Sequence, residues 1–359
     1  MHSPPLVADK VAYAPRRLLI MRLGAMGDII HTLPAAIALR NALPDTTLGW
    51  VVEERWAELL CALPEPRSGP RSARRPVVDR IHTVNTKTWR KSPFSIQTWE
   101  QMAAGLSELR AQQYEAAVDF QGALRSALLA HWSGAPVIYG FAQPRENVAS
   151  MFYTHQVIAR GHHIVEQNLS LAEVVVHRPF QFASPEFPID PATKGLQQND
   201  SPFVLLNPGA GWGAKQWPAE RFGQVACELA KDGLQTLINC GPGEDDLVCA
   251  VEAASAGTAQ PILCSITELI ALTRRARLFI GGDTGPMHLA AALQIPVVAI
   301  FGPTDPSRNG PFSTRSIVLR SPSSQTSLSH RAQPDQGLLE ITSAEVVAAA
   351  RKILRSSRG

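Results

Sequence analysis

Short apolar runs that end at a turn and give way to a helical pattern recur along this chain, break off at a proline-rich stretch, and then begin again. That alternation is the strongest constraint on the fold, because strands separated by helical patterns build parallel βαβ units. RRLLIM (16–21) runs into Gly24 and Gly27, and TTLGWVVEE (46–54), VDRIHTVN (78–85), AAVDFQG (116–122) and PVIYGF (136–141) follow. Asp28 opens the pattern IIHTLPAAIALRNAL, which stops at Pro44; further helical stretches lie around 96–112 and at SALLAHWSG. FASPEFPIDPATKGLQQNDSP (182–202) has neither periodicity and reads as a linker. Beyond it come FVLLNPG (203–209), LQTLINCG (234–241), LFIGGDTG (278–285) and PVVAIFGP (296–303), with PAERFGQVACELAKDG, TELIALTRRAR and PMHLAAALQ between them and SAEVVAAARKIL (343–354) last. The expected fold is α/β, with two doubly wound Rossmann-like domains. Residues 1–14 form a disordered leader, 15–182 the N-terminal domain, 183–202 the linker and 203–359 the C-terminal domain. Ligands in such sheets bind outside the carboxyl ends of the strands, so two domains facing across a cleft can hold two substrates.

Composition narrows the class further. With 45% apolar and 18% charged residues in 359, the chain is globular and long enough to fold without a disulfide or metal staple. Five cysteines, an odd number with no C-x-x-C pair, read as buried reduced thiols of a cytosolic protein. MHSPPLVADKVAYAPRR lacks the apolar core of a signal peptide, and no apolar run approaches the ~18 residues of a membrane span. Residues 1–182 carry 19 Lys and Arg against 15 Asp and Glu, whereas 183–359 carry 15 against 16. A basic N-terminal half points to an anionic partner there: phosphate, nucleic acid or a lipid surface. Arg67, Arg71, Arg74 and Arg75 contribute to that excess and read as a solvated surface loop.

Three turns could carry chemistry. Gly24-Ala25-Met26-Gly27-Asp28 follows the first strand, where a tight glycine turn and a helix N-terminus could receive an anion. It lacks the third glycine of a dinucleotide fingerprint and the G-K-[ST] of a P-loop, and Asp28 could equally be a helix N-cap. Gly281-Gly282-Asp283-Thr284-Gly285-Pro286-Met287-His288 ends a strand and starts a helix, so the N–H groups of Thr284 and Gly285 could cradle a diphosphate. His288 alone reads as a core histidine. NPGAGWGAKQWP (207–218) offers three glycines and then Lys215, backbone donors plus one mobile charge for a phosphate. Glu244, after Gly241-Pro242-Gly243, could accept from ribose hydroxyls or simply start a helix. No metal-ligand pattern is present; the adjacent His162 and His163 read as structural or surface residues.

RLGAMGDIIHTLPAAIALR, WVVEERWAELL, VDFQGALRSALL, NPGAGWGAKQWPAERF, GGDTGPMHLAAAL and FGPTDP, in that order over about residues 16–306, resemble glycosyltransferase family 9, the heptosyltransferases of lipopolysaccharide inner-core assembly. The resemblance implies a GT-B architecture, an acceptor-binding N-terminal domain and a C-terminal domain that binds ADP-heptose. It implies an inverting, metal-independent transfer with no cofactor. The M-G-D-x-x-H-T-L-P and W-V-V-E-E segments look most like heptosyltransferase I, which acts on Kdo-lipid A; NPGAGWGAKQWP is nearer heptosyltransferase II, which acts on an already heptosylated core. By residue matching, Asp28 becomes the general base, and Ala25, Met26 and Gly27 line the acceptor beside it. Lys215 and Asp283-Thr284-Gly285 hold the diphosphate with His288 close by, and Glu244 takes the ribose. Trp89, Arg90 and Lys91 face the anionic acceptor. The implied partners are ADP-heptose, Kdo-lipid A and the anionic cytoplasmic face of the inner membrane, and no nucleic acid. Rival readings are a family member with another nucleotide sugar, a nucleotide-sugar epimerase, an NAD-dependent dehydrogenase and a non-catalytic carbohydrate-binding relative.

Overall fold

The computed structural model describes residues 14–92, 94–190, 202–327 and 331–356; all but residue 14 of the expected leader, and residues 191–201 of the expected linker, lie outside the described residues. The first sheet is built by β1 (Arg17–Met21), β2 (Thr47–Glu53), β3 (Arg80–Val84), β4 (Ala116–Asp119), β5 (Val137–Phe141) and β6 (His155–Val157). Its helices are α1 (Met26–Ala42), α2 (Thr86–Lys91), α3 (Ile96–Ala111), α4 (Leu124–Trp132) and α5 (Ile164–Val176). The second sheet comprises β7 (Phe203–Asn207), β8 (Gln235–Cys240), β9 (Ala259–Leu263), β10 (Leu278–Gly282), β11 (Val297–Phe301) and β12 (Ser316–Arg320). With it come α6 (Ala219–Lys231), α7 (Asp245–Ala254), α8 (Ile266–Arg275), α9 (Gly285–Ala292), α10 (Pro306–Asn309), α11 (Gln336–Glu340) and α12 (Ser343–Arg355).

Every strand pairing is parallel, in the orders β3-β2-β1-β4-β5-β6 and β12-β11-β10-β7-β8-β9. Counted within its own domain, the second sheet repeats the order of the first, so a topological duplication stands where the sequence shows no repeat. Each sheet reverses direction once, between β1 and β4 and between β7 and β10, and a crevice opens at such a reversal. Central strands such as β7 (FVLLN) and β11 (VVAIF) are buried along their whole length, which accounts for their unbroken apolar runs. Three edge strands, β6, β9 and β12, were not expected from sequence. They are short or half-exposed, and β9 carries Pro261, which the edge of a sheet tolerates.

The structure corrects three further expectations. Helix α1 starts at Met26 with Ala25 as its cap, so Asp28 is a first-turn residue, not the opening one. The Arg67–Arg75 stretch is a surface loop, with residues 68–71 and 73 exposed, but several of its arginines are bonded into the fold rather than solvated. Arg75 is 1% exposed and gives its guanidinium to the carbonyls of Pro66, Pro70 and Val78; Arg67 pairs with Glu54 and Arg74 with Asp190 at 2.9 Å. The described part of the expected linker is pinned as well: Phe187 is buried, Arg274 donates to its carbonyl, and the Ile189 N–H donates to Ala73 O. Of the five thiols, all free, only Cys61 is fully buried and Cys249 is exposed.

Candidate active site at the domain junction

Asp28 is held from two sides. As third residue of α1 its Oδ2 accepts from the Ala25 N–H at 3.1 Å, and its Oδ1 lies 3.2 Å from Arg22 Nη2. Arg22, directly after β1, is buried; its Nε donates to the Asp28 carbonyl and its Nη1 to the Phe120 carbonyl at the end of β4. The guanidinium therefore spans the reversal point of the first sheet and fixes one carboxylate face. The rest stays accessible, with the Asp28 side chain 37% exposed. Beside it Asp119 is wholly buried. Burial pushes its carboxyl up in pKa, opposed by donors from Tyr153, Ser126, Gly122 and Gln121. It is a structural acid that shapes the β4–α4 turn. Asp28 is the acid open to a reactant.

The matching position of the second sheet is built differently. Lys215 closes a short 3-10 turn, Gly213–Lys215, and reaches the end of β10, with Nζ 2.6 Å from Asp283 Oδ2. Asp283 Oδ1 accepts from His288 Nε2 at 3.1 Å. Burial alone would raise the Asp283 pKa; the hydrogen bond and charge of His288 and the Lys215 ammonium outweigh it and hold the carboxyl well below the usual carboxylate range. Asp283 is thus a fixed anion that aims a lysine. Thr284 caps α9, with Gly285 and Pro286 as its first residues, so the helix starts beside Lys215. Glu244 lies over the next turn: its Oε2 accepts from the Gly241 N–H at 2.7 Å, and a Cβ on Gly209 would come within 2.2 Å of Oε1. The Glu244 carboxylate thus lies in the space that a side chain at position 209 would take.

The two turns touch. A Cβ on Gly27 would stand 2.5 Å from the His288 ring, and one on Gly285 would stand 2.7 Å from the Met26 side chain. Bare backbone on both sides brings the N-termini of α1 and α9 together. His31, one turn into α1, meets His288 across the junction, Nε2 to Nδ1 at 3.0 Å. The two rings share one N–H···N hydrogen bond, either ring being able to donate according to its tautomer. Burial and the neighbouring His288 push the His31 pKa well below its ordinary value. A buried polar chain, His31–His288–Asp283–Lys215, therefore runs from the first domain to Lys215 of the second. Other contacts secure the junction: His163 donates Nε2–H to the Gly310 carbonyl at 3.0 Å, and Thr267 donates N–H and O–H to Glu58.

The expected residues fall into two groups. Ala25, Met26, Gly27, Asp28, Lys215, Asp283, Thr284, Gly285 and His288 gather at the junction, and Glu244 lines the adjoining turn of the second sheet. Trp89, Arg90 and Lys91 sit apart on α2, beyond edge strand β3; Trp89 is half-buried against the cluster containing Leu109 and Tyr114, while Arg90 and Lys91 are exposed. Sequence reasoning missed Arg22 and His31. An arginine that closes an apolar strand just before a glycine turn was the available signal for the first. Among the described residues no three His, Cys, Asp or Glu side chains form a metal-holding group.

The sequence model of glycosyltransferase family 9 (heptosyltransferase) matches residues 102–338. The chain belongs to glycosyltransferase family 9. Lipopolysaccharide heptosyltransferase 1 of Pseudomonas aeruginosa is 28% identical to it over 312 residues, which is 85% of this chain and 84% of that protein. The same-named protein of Escherichia coli K12 is 27% identical over 316 residues, covering 85% and 94%. The solved structure of E. coli heptosyltransferase WaaC with ADP-2-deoxy-2-fluoro heptose matches with a TM-score of 0.76 at 25% identity, over 94% of this chain and 99% of that one. The family 9 enzyme described here is thus a glycosyltransferase of GT-B fold, which sets aside the dehydrogenase and epimerase readings.

Proposed function

We propose that this enzyme transfers a heptose from ADP-heptose to the Kdo-lipid A inner core, as a heptosyltransferase I of lipopolysaccharide biosynthesis. The observation that carries the proposal is the placement of Asp28: an accessible carboxylate, oriented by Arg22, one residue from the contact with the turn that holds Lys215. Asp28 takes the proton from the acceptor hydroxyl as that oxygen bonds to the anomeric carbon. The bond from that carbon to the diphosphate oxygen breaks on the opposite face, inverting the configuration and releasing ADP. One positioned base suffices, because a diphosphate leaves without a second catalytic acid. Lys215 and the N–H groups at the start of α9 meet the charge that grows on the diphosphate, a stabilisation preorganised before the bond breaks. Asp283 acts through Lys215. A buried carboxylate already committed to an ammonium and an imidazole has no role as a direct phosphate ligand. Glu244 receives the ribose hydroxyls, and Trp89, Arg90 and Lys91 face the anionic acceptor. The proposed transfer needs no metal.

No helix among the described residues is long and apolar enough to cross a membrane. We place the enzyme at the cytoplasmic face of the inner membrane, bound peripherally. ADP release from ADP-heptose, measured in EDTA with and without Kdo-lipid A, tests the reading. Acceptor-dependent release that ignores EDTA is expected. Release only with an already heptosylated acceptor would replace it with heptosyltransferase II activity, and release abolished by EDTA would overturn the metal-free mechanism.

A further inference from the structure

The chain places three large apolar side chains in water within one short segment. Phe94 is 95% exposed, Ile96 76% and Trp99 61%. Helix α3, which carries the last two, buries only Thr98 and Leu109, so the start of this helix presents an apolar face that nothing among the described residues covers. Such a cluster differs from singly scattered surface apolar residues and marks a contact surface. Lys87, Arg90 and Lys91 of α2 lie immediately before it, all exposed, and no carboxylate among the described residues pairs with any of them. Glu100 follows Trp99 directly.

Topology fixes where this surface points. Strand β3 ends at Val84 and leads through Asn85 directly into α2, so α2, Phe94 and the start of α3 stand at the carboxyl edge of the first sheet. β1 delivers Asp28 at that same edge, two strands away in the order β3-β2-β1, or about 10 Å across the sheet. Aromatic and aliphatic side chains flanked by exposed lysine and arginine are the composition of an interfacial membrane contact. The rings enter the headgroup boundary and the cations meet anionic lipid.

We infer that Phe94, Ile96 and Trp99, with Lys87, Arg90 and Lys91, dock the N-terminal domain on an anionic phospholipid bilayer. The charge complementarity commits the surface to lipid headgroups, and the apolar trio supplies a depth of contact that cations alone do not give. The orientation rests on the proposed function: the docked edge is the one bearing Asp28, so a lipid-anchored acceptor sugar meets the base without leaving the membrane.

The test uses the full chain, wild type and the double variant F94S/W99S, whose side chains are solvent-exposed and outside the proposed site. Cosedimentation with vesicles of phosphatidylcholine alone and with a quarter phosphatidylglycerol is measured, beside ADP release with Kdo-lipid A in those vesicles and with a deacylated, water-soluble Kdo acceptor. Wild type should bind the anionic vesicles in a salt-sensitive manner, and the variant should bind about tenfold or more weakly, as expected for losing two buried rings. Activity on the vesicle-borne acceptor should fall in parallel and activity on the soluble acceptor should not. Equal vesicle binding by the two proteins, or none by wild type, overturns the inference. So does an equal loss on the soluble acceptor, which would make the trio part of the acceptor site. Vesicle binding lost in the variant while wild type transfers to neither acceptor would support the docking surface and remove the functional reading instead.

Discussion

The β1–α1 and β10–α9 turns are built from the same parts: a buried parallel strand, a glycine turn, an aspartate and a helix N-terminus at a domain's reversal point. Their aspartates differ in one physical respect. Asp28 is 37% exposed and shares its charge with a single guanidinium, whereas Asp283 is 6% exposed and is spent on Lys215 and His288. Accessibility and prior commitment, not residue type, decide which carboxylate can take a proton from a substrate. The exposed one is free to serve as the proposed base, and the buried one orients a cation.

The comparison breaks most visibly at Asp28. Asp28→Asn should lower kcat by about 10²–10⁴-fold, the range of a lost general base, with little change in ADP affinity. Lys215→Met should follow, with kcat/KM for the donor down by about 10²–10³-fold and ADP binding weakened as well. Asp283→Asn should raise the donor KM and, unlike Asp28→Asn, lower the thermal midpoint, because it strands a mostly buried ammonium; removing one partner of a buried pair costs about 3–5 kcal/mol. A midpoint unchanged in Asp283→Asn would show that the ion pair holds nothing together. His31→Phe keeps a ring at the junction but removes the hydrogen bond to His288, and should raise the donor KM a few-fold, as expected for one hydrogen bond of about 1 kcal/mol.

The smallest effect is on the pH dependence of stability. His31 titrates lower folded than unfolded, so as pH falls through 6.5 the unfolded chain gains a proton that folded His31 refuses. Its stabilisation is present above pH 6.5 and is lost below. Asp283, also depressed, adds a loss in the same direction at more acid pH, below the ordinary carboxylate value. Melting curves should show wild type losing stability between pH 7 and 5, and His31→Phe losing less. Parallel curves would remove His31 from the junction's acid sensitivity.

The central strands were legible because burial on both faces demands unbroken apolar runs; of the edge strands only β3 was read, and β6, β9 and β12 were not, because a half-exposed edge makes no such demand. Asp28 and Lys215 stood out through glycine turns local in sequence. The role of Asp283 as a clamp on Lys215 was hidden, since that pair spans 68 positions and depends on β7 and β10 lying side by side. His31 and His288, 257 positions apart, meet only because two domains dock helix end to helix end. The arginines at 67–75 misled for a related reason. Their partners are backbone carbonyls and acids elsewhere in the fold, which a local charge count cannot register.

The division of labour between the two turns is tested most directly by measuring turnover and ADP affinity on the same preparation of Asp28→Asn. Turnover near zero with a wild-type ADP Kd by calorimetry is the predicted result. Wild-type turnover, or an ADP affinity that collapses together with it, would contradict the assignment of Asp28 as the base and of the second turn as the seat of the donor.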